Sequence, residues 1–368
     1  MLIKNGKVLI GKEFITCDVE FDDKIRFLGN SRKEADLDAQ GCYVIPGLVD
    51  IHTHGAKGHD FSDGNAAALP ILSDYYGSCG VTSFLATTMT LKEETLTNAM
   101  RALRGYARQG GAKCAGVHLE GPFLSHAKRG AQAASCLHRP DAAMFARLQE
   151  ASGGQVKLVT VACEEPGAMD FIRQVSAQCT VSLGHTTAGY DMAMAGFTAG
   201  ATHVTHLYNA MLPLHHREPG VIGAALDSGA SVELICDGLH IHPAVVRATA
   251  AMFGDKLNLV SDSLRCAGMP DGNYELGGQP ITLKAGKATL QNTDTLAGAA
   301  VSVYEGMKNA VRFGLPLEQA VYAAATAPAQ AVGLRDTGTV EIGKCADLVV
   351  LDQDLNITAV FVDGEKIV

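Results

Sequence analysis

From Tyr43 to Asp262, short apolar runs alternate with helical stretches eight times, and this alternation limits the available folds more than any other feature. The runs are 44–51, 81–87, 115–120, 156–162, 180–185, 202–206, 232–236 and 257–262. Most are apolar on both faces, as strands of a covered parallel sheet must be. Each interval is long enough for one crossover helix. In one interval Leu96, Ala99, Met100, Leu103 and Ala107 recur at helical spacing, with Thr90 and Glu93 as a capping box and Gly110-Gly111 as the stop. In another, Met144, Phe145 and Leu148 share a helix face between Pro140 and Gly153. Eight strand–helix units predict an α/β fold, a (β/α)8 barrel of the TIM type; an eight-strand doubly wound sheet is the alternative.

The two ends read as β structure instead. Leu2 and Ile3 face Val8, Leu9 and Ile10 across Asn5-Gly6, a dipeptide that accepts the positive φ of a two-residue turn. Further β-like pieces follow at 15–21 and 24–28, and the tail adds Leu348 to Leu351 and Ile357 to Val362. The N-terminal stretch, about 45 residues, is too small to bury a core alone. The expectation is one small β-sandwich domain made by residues 1–45 and 336–368, beside a barrel spanning 46–335.

Composition removes several function classes. Hydrophobic residues at 47% and charged residues at 19% exclude a disordered chain. The balance of 30 basic against 39 acidic residues, net −9, argues against a nucleic-acid or anionic-membrane binder, which needs a basic face. The ten cysteines contain no C-x-x-C pair, and MLIKNGKVLIG lacks the apolar core of a signal peptide. A cytoplasmic protein with reduced thiols is expected.

Functional residues of such a barrel lie at the C-terminal ends of its strands. There the chain places His52 and His54, Glu120, His185, His206 and Asp262. His52 and His54 are two apart and share one side of their strand. An H-x-H pair alone is a weak signal; six such groups converging on one barrel mouth read as a divalent-metal site. The competing reading is a set of histidines each satisfied in the core or loose on a loop, and it holds for His118, His126, His138, His215 and His216. Imidazole with carboxylate suits zinc first, and also iron, cobalt or manganese, and six ligands are enough for one or two ions. The implied chemistry is a metal-activated water, with Asp262 as proton acceptor and donor.

With these residues assembled, the chain resembles the amidohydrolase superfamily and, within it, the N-acetylglucosamine-6-phosphate deacetylases. The resemblance rests on PGLVDIHTHG (46–55), HLEGPF (118–123), GHTTA (184–188), THLYNAM (205–211), REPG (217–220), DGLH (237–240), SDSLRCAGMPDG (261–272), TLAGAA (295–300) and GTVEIGKCADLVVLD (338–352). It implies that Glu120, His185 and His206 hold one ion, and that His52, His54 and Asp262 hold a second in those members that use two. It implies hydrolysis of an acetamide, with Asp262 as catalytic acid/base and His240 polarising the acetyl carbonyl. Asn209 and Ala210 would contact the sugar phosphate, Arg217 its phosphate, Asp237 and His240 the substrate through their loop, and Leu296, Ala297 and Gly298 the acetyl group. Ala131 and Gln132 match a sugar-contacting pair that often ends in histidine, so Gln132 is a departure. Arg265 is another, either altering substrate preference or lying on the loop's far side. The implied partners are a phosphorylated amino sugar and a second copy in a homodimer.

Two rivals remain. Cyclic amidases of the superfamily bridge their metals with a modified lysine on the fourth strand, but here the only such lysine, Lys157, is at the wrong end. A non-catalytic barrel scaffold would have lost ligands, and none is missing.

Overall fold

The computed structural model describes all 368 residues, Met1–Val368. Eight parallel strands form one sheet in chain order: Leu48–Thr53, Val81–Thr88, Lys113–Glu120, Val156–Val161, Thr180–Leu183, His203–Val204, Ser231–Ile235 and Leu257–Val260. Beyond the eighth, Asp262 N–H donates to His52 O and His54 N–H to Ser263 O, both at 2.9 Å. Those bonds join the last strand's extension to the first, so the sheet closes into a barrel rather than ending in two edges. Val49, Ile51, Leu85, Leu158, Ile235 and Val260 plug its interior. A core of 66 buried residues fills the layer between strands and helices.

The strand boundaries differ from the expected ones in an informative way. The run 44–51 divides at Gly47, where an added Cβ would meet the Thr82 side chain at 2.2 Å. Before the break, Tyr43–Pro46 pairs with Leu348–Leu351 in the small sheet; after it, Leu48–Thr53 enters the barrel. Barrel strands five, six and eight stop before His185, His206 and Asp262, whose φ angles are 47°, 28° and 49°. A left-handed residue cannot continue a strand, and the turn it makes throws its side chain over the barrel mouth.

Two helix signals are corrected. The helix Glu93–Arg104 starts at Lys92 with no side-chain cap, and Thr90 instead offers its backbone N–H to Gln132 Oε1 at 2.7 Å. The helix ends at Gly105, leaving Ala107 outside it. Gly110-Gly111 serves another purpose: Gly111, at φ +61°, lies so close to the Ser73 carbonyl that a Cβ would sit 2.4 Å from it. The second helix, Ala142–Ala151, forms as expected, capped by Asp141 and burying Met144, Phe145 and Leu148.

Both chain ends join one eight-stranded sheet that curls over on itself. Phe21 and Phe361 meet edge to face at 5.2 Å between ring centres, and Ile25 N–H donates to Lys344 O at 2.9 Å. The two layers of the expected sandwich are therefore halves of a single hydrogen-bonded sheet. Asn5-Gly6 is not its hairpin turn. Leu2–Ile10 is one strand, paired with Glu13–Phe21 across Gly11-Lys12, and it carries a bulge between Ile3 and Gly6. Asn5 takes φ 56° within that bulge and donates its N–H to Asp18 Oδ1 at 3.0 Å. The same tolerance of positive φ that makes a turn also makes a bulge.

An unanticipated three-stranded antiparallel sheet, Gly272–Leu276, Gln279–Lys284 and Lys287–Leu290, follows the eighth barrel strand. Its apolar face packs Leu276, Ile281, Leu283 and Ala288 against Met89, Leu264 and Ala297. It thereby builds one wall of the barrel mouth. No helix of the chain is long and apolar enough to cross a membrane.

Candidate metal centre and active-site pocket

All six expected ligands converge at the barrel's C-terminal mouth. Glu120 lies at their centre, 2% exposed, and its two oxygens face different partners. Oε1 lies 3.2 Å from His185 Nε2 and 3.1 Å from His206 Nε2. Oε2 lies 3.2 Å from His54 Nε2, which is 3.3 Å from Asp262 Oδ1. His52 Nε2 stands 3.4 Å from Glu120 Oε1 and 3.5 Å from Asp262 Oδ1. Two clusters able to hold an ion share one carboxylate, His52, His54 and Glu120 in one and Glu120, His185 and His206 in the other, with Asp262 beside the first.

The surrounding bonds aim these donors. His185 Nδ1–H donates to the Lys128 carbonyl at 2.8 Å, which turns Nε2 toward Glu120. His52 Nδ1 is held by Glu233 at 2.8 Å. The Nε2 of His52 is buried and has no hydrogen-bond partner, a costly state for a polar atom unless something binds it. His185 and His206 bring their Nε2 atoms within 2.9 Å of each other, an arrangement that suits two lone pairs converging on a cation. This donor set fits a divalent metal.

Electrostatics agree. Burial favours a neutral Glu120, but His52, His185 and His206 outweigh it and hold its carboxyl well below the usual range. Asp262 is likewise held down against burial by His52 and His54. Burial works against charge on His54, yet Asp262 and Glu120 raise its pKa to about 9. His118, below the site, is pushed down to about 3 by burial and by His52. It bonds Thr160 Oγ1 at 2.7 Å, the interior role expected of it.

Five of the six ligands, all but His52, floor a cavity of about 300 Å³. Ala131, Gln132, Asn209, Ala210, His240, Leu296 and Gly298 line it. Asp237 lies behind His240, accepting its backbone N–H at 2.8 Å and bonding Nδ1 at 2.7 Å. Ala297 is buried behind the wall. Arg217 lies outside this cavity, exposed, with Nη1 2.7 Å from His216 Nε2, on a neighbouring groove with Tyr190 and Asp227. Arg265 turns away from the mouth and donates to Asp63 Oδ1 at 2.7 Å.

Gln132 lines the cavity, but both ends of its amide are engaged. Nε2 donates to Glu120 Oε2 and Oε1 accepts from Thr90 N–H, each at 2.7 Å. Two contributors escaped sequence reading. Lys128 reaches the mouth and donates to the Met211 carbonyl at 2.9 Å. Glu233 sits beneath the ligands, 0% exposed. Glu120 and no lysine holds the central position: Lys128 turns its Nζ to the Met211 carbonyl, Lys157 is at the start of the fourth strand, and Glu164 beyond that strand's end accepts from Thr187 Oγ1 at 2.9 Å.

Residues 43–367 match the amidohydrolase family model. The N-acetylglucosamine-6-phosphate deacetylase of Bacillus subtilis (strain 168) is 37% identical, over 97% of this chain and 91% of that protein. An N-acetylgalactosamine-6-phosphate deacetylase of Escherichia coli O157:H7 is 33% identical, over 88% of this chain and 87% of its own. Among solved structures, an N-acetyl-D-glucosamine-6-phosphate deacetylase from Mycobacterium smegmatis superposes with a TM-score of 0.95. That structure, an aspartate-to-alanine variant in complex with N-acetyl-D-glucosamine-6-phosphate, is 36% identical and covers 100% of this chain and 99% of the other.

Proposed function

The chain belongs to the amidohydrolase family, and within it we propose that it hydrolyses N-acetylglucosamine 6-phosphate to glucosamine 6-phosphate and acetate. The observation that carries this reading is the meeting of Glu120, His185, His206 and Asp262 at the floor of one cavity. The names of the relatives point to the same substrate class. The barrel, residues 46–335, carries the chemistry; residues 1–45 and 336–368 form the small β domain.

Glu120, His185 and His206 would hold one divalent ion; His52, His54 and Asp262, with Glu120 shared, would hold a second. Zinc suits the donors best, with iron, cobalt and manganese as alternatives. Such an ion supplies a Lewis acid that polarises a carbonyl and makes water acidic enough to ionise near neutral pH. The remaining work falls to side chains. Asp262, kept ionised by its histidines, takes a proton from the attacking water and returns it to the amine as the C–N bond breaks. One water is consumed, and the acetyl group leaves as acetate. His240 has its Nδ1 committed to Asp237 at 2.7 Å, which fixes the ring in the cavity wall, so Nε2 donates to the acetyl oxygen only when both ring nitrogens carry a hydrogen. Leu296 and Gly298, backed by Ala297, wall the acetyl group. Ala131, Asn209 and Ala210 edge the sugar, with Gln132 beside them.

Arg217 is proposed as the phosphate's cation. Its place outside the cavity goes with the proposed homodimer, as do the exposed Met192, Leu214, Leu226 and Leu239. A cytoplasmic location matches a phosphorylated metabolite as substrate. The Escherichia coli relative favours one second reading, the galactosamine epimer.

The test measures acetate release from N-acetylglucosamine 6-phosphate, its galactosamine epimer and the unphosphorylated sugar. Asp262→Asn should cost about 10²–10⁴ in kcat, the range for a positioned acid/base. Arg217→Ala should raise KM for the phosphorylated sugar alone. Equal rates on phosphorylated and free sugar would remove the phosphate assignment, and a faster epimer would favour the second reading.

A further inference from the structure

The hydrolysis has no use for one carboxylate. Glu233, on the seventh barrel strand, is fully buried beneath the ligands and does not line the cavity. It has three partners: His52 Nδ1 and the His206 backbone N–H on Oε2, at 2.8 and 3.0 Å, and His203 Nε2 on Oε1, at 3.2 Å. A carboxylate can only accept here. His52 must therefore donate from Nδ1, which leaves the lone pair on Nε2, facing Glu120 and Asp262. The same oxygen anchors the backbone of His206, whose φ of 28° is one that few L-residues adopt. That turn swings the imidazole onto Glu120. The bond to His203 occupies the other oxygen, so the carboxylate is held from both sides.

We propose that Glu233 is a positioning residue for both ion sites. One oxygen sets the tautomer of His52 for the second ion and pins the turn that presents His206 to the first. Its role is geometric. It stands behind the ligands, touches neither cavity nor substrate, and works through the hydrogens it accepts. The proposal rests on the two-ion reading given above.

Two variants separate position from charge. Glu233→Gln keeps the shape and loses the charge. Its carbonyl oxygen can still accept from both His52 and His206, while its NH2 turns to His203, whose Nδ1 is free to take the ring proton. Glu233→Asp keeps the charge and loses one methylene of reach. Zinc content after dialysis and zinc affinity against a competing chelator are read for both, with the visible spectrum of the cobalt-loaded chain. Circular dichroism of each metal-free variant checks the fold.

Glu233→Asp should weaken the second ion by about 10- to 100-fold, the usual effect of disturbing a ligand's outer partner, and shift the cobalt spectrum. Glu233→Gln should stay within a few-fold of the unaltered chain. Unaltered-like binding in both variants would overturn the proposal, and so would equal loss in both, which would assign the effect to charge. If the unaltered chain saturates with one ion, the two-ion reading fails and takes the His52 half with it. The His206 half is then judged alone, and an unchanged one-ion affinity in Glu233→Asp overturns it.

Discussion

Replacing Gln132 by alanine distinguishes two roles for the residue at the cavity wall. Gln132 is 4% exposed, and its amide spans Glu120 Oε2 and Thr90 N–H, each at 2.7 Å. Truncation leaves the buried Thr90 N–H without a partner and takes one of two neighbours from Glu120 Oε2, which keeps His54 Nε2 at 3.2 Å. A hydrogen bond to a charged carboxylate contributes about 1.5–3 kcal/mol and a neutral one about 1 kcal/mol. The loss should be about 3 kcal/mol, divided between unfolding free energy and the orientation of Glu120. The share that falls on Glu120 appears as weaker metal binding, about 10- to 100-fold. Zinc competition against a chelator, chemical unfolding of the metal-free chain and KM for the phosphorylated sugar read the three terms separately. If Gln132→Ala raises KM but leaves zinc affinity and the unfolding midpoint where they were, Gln132 serves the sugar, as the family resemblance implies, and the orienting role is refuted.

Lys113 opens the third barrel strand and clamps it to the small sheet, with Nζ 2.8 Å from Asp347 and 2.7 Å from Asp363. Asp347 is 1% exposed, so Lys113→Ala strands a buried carboxylate and should cost about 3–5 kcal/mol in chemical unfolding; a loss below about 1 kcal/mol would show the pair to be dispensable. Metal loading should release protons, because Asp262 and Glu120 outweigh burial and raise His54 to about 9 in the metal-free chain. A raised pKa means the proton must leave before the ion binds, so affinity should climb with pH and level off above about 9. Calorimetric titration in buffers of differing ionisation enthalpy counts those protons, and a pH-independent affinity would refute the coupling.

What the sequence made legible follows from which signals are local. The six ligands could be read because each ends a run of strand residues, and the barrel order then brings strand ends together. The division at Gly47 could not be read, since no polar residue interrupts 43–49 and a change of sheet leaves the apolar pattern intact. The covering sheet had a usable signal that went unread. Gly277-Gly278 and Ala285-Gly286 take φ of 53° and 85°, and 50° and 77°, the two-residue turns that join hairpin strands. Asn5-Gly6 carried the same signal and became a bulge, so the dipeptide marks positive φ and leaves open what is built on it. Glu233 is the sharpest case. It lies two residues before Ile235, which fills the barrel interior, so strand parity alone turns it inward. An inward carboxylate in a covered strand must find donors or not ionise. The donors it finds are two histidines and the backbone of a third. Parity could therefore have placed a charge inside the barrel. Its partners lie on the first and sixth strands, and only the closed cylinder brings those to the seventh.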